Sequence, residues 1–251
     1  MDVGVVGYVV LALAALVIGV SKTSVSGAAS LAVVVFAIVL PAKESTGTIL
    51  PLLITGDLVA VSLYRSHADW GIVRRLLPWM LVGLVAGVGF LAVADDTVMR
   101  RTIGALLLVF LLVPLLGGAL GLAGPTGSGR SPARHPIGAA LAGAAAGFST
   151  MTANAAGPVM AIYLVLMRVQ KMVFLGSNAW LFLIINVIKL PFSGALGLID
   201  GASLMLDLTL VPWVLAGCAI GTRLIGRLHQ RQFERITLVL AAVSAFVLLV
   251  T

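Results

Sequence analysis

The chain has little of what a soluble enzyme needs. Its 251 residues include one cysteine, three histidines, 6% aromatics and 10% charged side chains. One cysteine excludes a disulfide within the chain, and Cys218, set in an apolar run, reads as a small core residue. His67, His135 and His229 fall in polar stretches without metal or triad spacing, and there is no H-E-x-x-H. Neither a metal site nor a cofactor is expected. Soluble domains carry about 25% charged residues; here 61% of residues are hydrophobic and the mean hydropathy is +1.17. A soluble fold of this length could not hide that much apolar surface, so lipid is the expected solvent. The excess of 16 Lys+Arg over 9 Asp+Glu then reads as charge on cytoplasmic loops rather than a nucleic-acid surface.

What is present is a series of apolar runs: 4–20, 28–40, 46–63, 76–94, 102–123, 136–148, 155–167, 172–190, 208–222 and 236–250. A straight span needs about 20 residues, and the runs 28–40, 136–148 and 155–167 fall short. The polar stretches beside them, 21–27 and 149–154, lack charge clusters. They read as helix breaks at membrane depth, tolerated where the freed backbone faces protein or water.

A Gly/Pro/Ser segment at 122–135 separates two halves, 1–121 and 136–251. The halves match each other. Gly19-Val20-Ser21 aligns with Gly147-Phe148-Ser149 and Lys43 with Lys171, both at an offset of 128. Gly47-Thr48 aligns with Gly176-Ser177 and Asp57 with Asn186, at 129. Pro78-Trp79 and Gly83-xxx-Gly87 align with Pro212-Trp213 and Gly217-xxx-Gly221, at 134. If each broken stretch enters and returns as a V, every half has five elements. Arg65, Arg74, Arg75, Arg130, Arg134, Arg168, Lys171, Arg223, Arg227, Arg231 and Arg235 then share one side, and Lys43, Arg100 and Arg101 the other. The acids Asp2, Glu44, Asp95, Asp96, Asp200 and Asp207 join that poorer side. The positive-inside rule favours this arrangement. The expected fold is therefore an all-α polytopic membrane protein of two inverted-topology repeats, with both termini on the periplasmic side.

Three charges remain at depth: Lys22, Asp57 and Lys189. Such charges are costly and usually face a cavity or a partner. Inversion would bring the two breaks together, forming a cage of Ser21, Lys22, Thr23, Ser24, Ser26, Ser149, Thr150, Thr152 and Asn154. Helices restarting near Gly27 and Ala155 would aim their amide ends into it, which suits a small oxyanion or carboxylate. The plainer alternative has the hydroxyls bonded to their own helices and Lys22 at an interface. Asp57 reads either as a proton-coupling carboxylate or as a counter-ion to Lys22 or Lys189. Asn186, Thr48, Ser177 and Lys189 are placed beside the cage as coupling or supporting residues, although snorkelling is the simpler account of Lys189. An aspartyl dyad lacks a second acid at depth, and a membrane serine protease lacks a histidine there. The small-residue pairs Gly83/Gly87 and Gly217/Gly221 read as packing surfaces, within one chain or in a homodimer.

The Gly19-Val20-Ser21…Gly27 turn, Thr46-Gly47-Thr48, and the second copy at Gly147-Phe148-Ser149 and Gly176-Ser177-Asn178 resemble the sulfite exporter TauE/SafE family. The likeness spans both halves. It implies a bacterial inner-membrane carrier for sulfite, organosulfonates or related small anions, driven by a gradient of protons or sodium. Ser-Lys-Thr-Ser stands where many members have a longer glycine run. A passive small-anion channel and a small-carboxylate carrier are the competing functions.

Overall fold

The computed structural model describes residues 4–25, 27–95, 98 and 136–250. The expected run 102–123, the linker 122–135 and Ser26 lie outside them. The described residues form helices α1 (Gly4–Thr23), α2 (Ala29–Val39), α3 (Ala42–Tyr64) and α4 (Trp70–Val93), then α5 (Pro136–Ala153), α6 (Ala156–Leu166), α7 (Lys171–Ala195), α8 (Gly201–Arg227) and α9 (Gln230–Val250), with a single 3-10 turn at Arg65–His67. No strand occurs among them. Five segments are long and apolar enough to cross a membrane: Gly4–Thr23, Glu44–His67, Trp70–Val93, Lys171–Ala195 and Gly201–Arg227. The described residues are all helical, and the five apolar segments give the pattern of a multi-pass membrane protein.

Both breaks are shorter than the sequence suggests. α1 continues through Ser21, Lys22 and Thr23, and α5 extends the run 136–148 to Ala153. The reason is local: these hydroxyls bond back to carbonyls one turn earlier instead of competing with the helix. Thr23 Oγ1 donates to Gly19 O at 3.0 Å, Ser24 Oγ to Val20 O at 2.6 Å and Thr152 Oγ1 to Phe148 O at 2.9 Å. The first break ends at Gly27, whose φ of 108° suits a residue without a side chain. The second turns on Asn154, at φ 49°, a left-handed position that asparagine tolerates.

α8 also starts earlier than the apolar run 208–222. Asp200 caps it: its carboxylate accepts the Ser203 amide at 2.7 Å, and Ser203 Oγ accepts the Asp200 amide at 3.0 Å. That amide holds the Asp200 carboxyl below its ordinary range. The early start corrects the placement of Asp207. It is not in an outer loop but buried in α8, because the cap seven positions earlier has already begun the helix.

Small residues set the close packing. α1 lies along α8, where an added Cβ at Gly19 would run into the Val214 carbonyl and one at Gly217 into the Leu16 carbonyl. α4 lies along α5 in the same way, through Gly83 against Ala144 and Gly147 against Met80. Such backbone-to-backbone approach is how helices associate where lipid offers no hydrophobic contrast. Tyr8 Oη donates to Thr209 O at 3.2 Å, near the starts of both α1 and α8. Gly47, early in α3, abuts Leu198 just before α8, whereas Gly176, early in α7, abuts the Tyr64 carbonyl at the end of α3. Hence α1, α3 and α8 start at one end of the bundle, and α4, α5 and α7 at the other.

Candidate functional site

Asp57 and Asn186 each stand sixteenth in their helices, counted from Ala42 in α3 and Lys171 in α7. Those helices start at opposite ends, so a contact at equal depth falls halfway through the bundle. Asn186 Nδ2 donates to Asp57 Oδ2 at 2.7 Å. The other carboxylate oxygen meets Lys22 Nζ at 2.6 Å. Asp57 has no exposed surface, and the Lys22 side chain is 9% exposed. Gly56 makes room for this lysine, because a Cβ there would lie 2.9 Å from Lys22 Cγ. The Phe182 ring centroid sits 4.7 Å from the ammonium, a favourable cation–π placement.

Lys189 holds the second break. It is fully buried, which removes the snorkelling account. Its Nζ donates to Thr150 O at 2.6 Å and to Asn154 Oδ1 at 2.5 Å. Asn154 Nδ2 in turn donates to Thr46 O at 2.9 Å, so one lysine and one asparagine tie α7, the α5–α6 break and α3 together. The first break is closed differently: the Ala29 amide donates to Ser21 Oγ at 2.9 Å, and Ser21 Oγ donates to Val25 O at 3.2 Å.

Between these ties lies a cavity of about 40 Å³. A single water needs roughly 10–15 Å³ on this measure, so the space suits a few waters or one small ion. Of the residues expected at the cage or beside it, Ser21, Lys22, Thr150, Asn154, Asp57 and Asn186 line it. Gly27 and Ala29 at the start of α2 and Ala156 and Gly157 at the start of α6 line it too. At α2 the first amides are already taken, Ala29 by Ser21 Oγ and Ser30 and Leu31 by the Gly27 and Ala28 carbonyls, so α2 offers the cavity its positive dipole end rather than free amides.

The other expected residues are buried but turned elsewhere. Thr23 bonds to Gly19 O and, at 3.1 Å, to Cys218 O, while Tyr64 Oη donates to the Thr23 carbonyl at 2.6 Å. Ser24 and Thr152 bond to their own helices, as does Ser149, to Ala146 O at 3.3 Å. Thr48 Oγ1 donates to Glu44 O at 3.0 Å, and Ser177 Oγ accepts the Asp69 amide at 3.0 Å, at the α3–α4 turn. For Thr23, Ser24, Thr48, Ser149 and Thr152 the plainer account of the hydroxyls describes the structure, whereas Ser177 holds the α3–α4 turn instead. Asp57 is not the only buried acid: Asp207 is also buried, with both carboxylate oxygens unpartnered, away from the cavity lining.

The sequence reading omitted Ser30, Asn178 and Phe182, which also line the cavity. Helical spacing would have found two of them. Asn178, Phe182 and Asn186 are four residues apart and share one face of α7. Among the described residues no cluster of three or more His, Cys, Asp or Glu could hold a metal ion.

A family model described as Sulfite exporter TauE/SafE matches residues 11–248. No curated protein and no solved structure matches the chain.

Proposed function

The chain belongs to the sulfite exporter TauE/SafE family, and from that membership we propose that it is a secondary transporter. In this reading it moves a small oxyanion, sulfite or an organosulfonate, across the bacterial inner membrane by alternating access, and it is not an enzyme. The observation that carries the reading is the cavity halfway through the bundle, where the Lys22 ammonium and the starts of α2 and α6 converge. Helix N-termini and an ammonium attract anions, and interrupted helices at the midplane are a transporter feature. The cluster holds two lysines and one aspartate, a formal surplus of one positive charge that suits an anion. The cavity volume favours a compact anion over an aromatic sulfonate.

Two further observations support rocking of two inverted halves. Helices of equal rank match in length across the halves, 20 against 18, 11 against 11, 23 against 25 and 24 against 27 residues. Equal-ranked α1 and α5, α3 and α7, and α4 and α8 also start at opposite ends. By the positive-inside rule, the basic loops support a reading with the α3–α4 turn in the cytoplasm and both termini in the periplasm. A homodimer is compatible with the remaining lipid-facing surface.

The test is exchange of labelled sulfite in proteoliposomes. Wild type should show saturable exchange, and Lys22→Ala should lose it while remaining folded in detergent. Undiminished saturable exchange by that variant would remove the cavity from the transport path.

A further inference from the structure

The ion pair at the cavity wall has a property that a simple anion site lacks. Lys22 is the ammonium that lines the space, yet its Nζ is already held by Asp57 Oδ1 at 2.6 Å. Asp57 therefore occupies the place an anion would take. Resting on the transport reading above, we propose that Lys22 and Asp57 form an exchange couple: the substrate anion replaces Asp57 on Lys22, and Asp57 takes up one proton as it is released. The coupling ion is then the proton, moving with the anion at one to one.

The surroundings of Asp57 leave few alternatives. The ionisable groups that act on it are Lys22 of α1, Lys189 of α7 and Cys218 of α8. Lys189 is engaged by Thr150 O and Asn154 Oδ1, so it does not substitute for Lys22 as a direct partner. Asn186 offers one amide N–H to Oδ2. An oxyanion seated on Lys22 would place a second negative charge beside a carboxylate with no exposed surface. A buried carboxylate without a cation partner neutralises by protonation. The step balances simply. One O–H bond forms on Asp57 with a proton from the side of anion entry. That proton leaves to the other side when the anion departs and the carboxylate returns to Lys22. The ion pair stands in for the substrate in the empty carrier, so for a singly charged anion such as hydrogensulfite or a monosulfonate the empty and the loaded carrier carry the same net charge in the cavity.

The test uses the full chain in sealed proteoliposomes, with labelled sulfite as probe and the membrane potential clamped at zero. Counterflow at equal pH reports transport itself; its absence would count against the transport reading as well as the couple. With the interior one pH unit more alkaline, a proton carried per anion raises the steady-state accumulation of wild type about tenfold over Asp57→Asn. Both carry the same probe, so protons bound to sulfite itself cancel. The steady-state ratio is independent of rate, which allows for a slow variant. Counterflow in wild type without any response to the pH gradient overturns the couple and leaves the transport reading standing. An Asp57→Asn protein that accumulates sulfite as wild type does overturns it too. Should that variant not fold, the wild-type response decides, read also as alkalinisation of the outer solution when anion enters.

Discussion

Asn186 Nδ2 lies 2.7 Å from Asp57 Oδ2, and these two residues are 129 positions apart, the offset at which the two halves of the sequence match. Residues at corresponding places in α3 and α7 thus meet each other. The pair shows how the cluster is wired: Asn186 fixes one carboxylate oxygen and leaves the other to Lys22. Because an amide N–H must face the carboxylate, the Asn186 carbonyl is turned away from it.

Breaking this ion pair from one side should be costly. Lys22→Ala leaves Asp57 buried without a cation, a change worth about 3–5 kcal/mol of stability. Lys22→Met combined with Asp57→Leu removes both charges and should recover most of that loss. Thermal unfolding of the two variants in detergent checks this. A double variant as unstable as the single one would show that the pairing contributes nothing.

The helix contacts predict opposite effects for two kinds of glycine. Gly147→Ala would drive a Cβ into the Met80 carbonyl at the α4–α5 crossing. It should destabilise by about 1–3 kcal/mol. Gly89→Ala, with nothing within 4 Å of the added methyl, should be stabilising by about 0.5–1 kcal/mol through helix propensity. Unfolding midpoints that move together would contradict the packing described here.

The opposed starts of α7 and α8 predict a labelling pattern. With Cys218 replaced by serine, a cysteine introduced at exposed Ser66 should react only from the cytoplasmic side. One at exposed Ala202 should react only from the periplasmic side. Labelling of both positions from the same face would reject the inverted arrangement.

Ligand binding should appear as stabilisation. A compact oxyanion at 100 times its Kd raises apparent stability by about 2.7 kcal/mol. A thermal-shift series of sulfite, small sulfonates and small carboxylates should therefore give graded increases in wild type and none in Lys22→Ala. A flat series in wild type would leave the cavity without its anion.

The Asp200 cap predicts a pH effect outside the membrane. Its carboxyl is held below the ordinary range by the Ser203 amide. Its contribution is thus fully present above the unfolded-state value of about 4 and fades as pH falls through the lower folded value. Asp200→Ala should lower stability at neutral pH and narrow its gap from wild type as the solution becomes strongly acidic. A gap that stays constant with pH would mean the cap acts without its charge.

Composition and hydropathy alone determined that this chain lives in lipid, because 61% apolar residues have no other solvent. They also marked the apolar stretches of the nine described helices and the neighbourhood of the two interruptions, though they drew both interruptions too wide and began α8 too late, and the spacing of glycines and lysines suggested the internal match. Lys22, Asp57 and Asn186 were legible as site candidates because a charge or amide inside an apolar run is expensive and needs a reason. What hydropathy could not decide was where each hydroxyl points. A serine in the last turn of a helix is equally able to face a cavity or its own backbone, and only packing separated Ser21 and Thr150 from Thr23, Ser24, Ser149 and Thr152. Nor could it decide which lysine pairs with Asp57, since the partners are 35 and 132 positions away along the chain. The tertiary structure settled both, because helix crossing at Gly19, Gly56 and Gly147 fixes which faces meet, and the facing surfaces leave Asp57 to Lys22 and the Asn154 amide oxygen to Lys189.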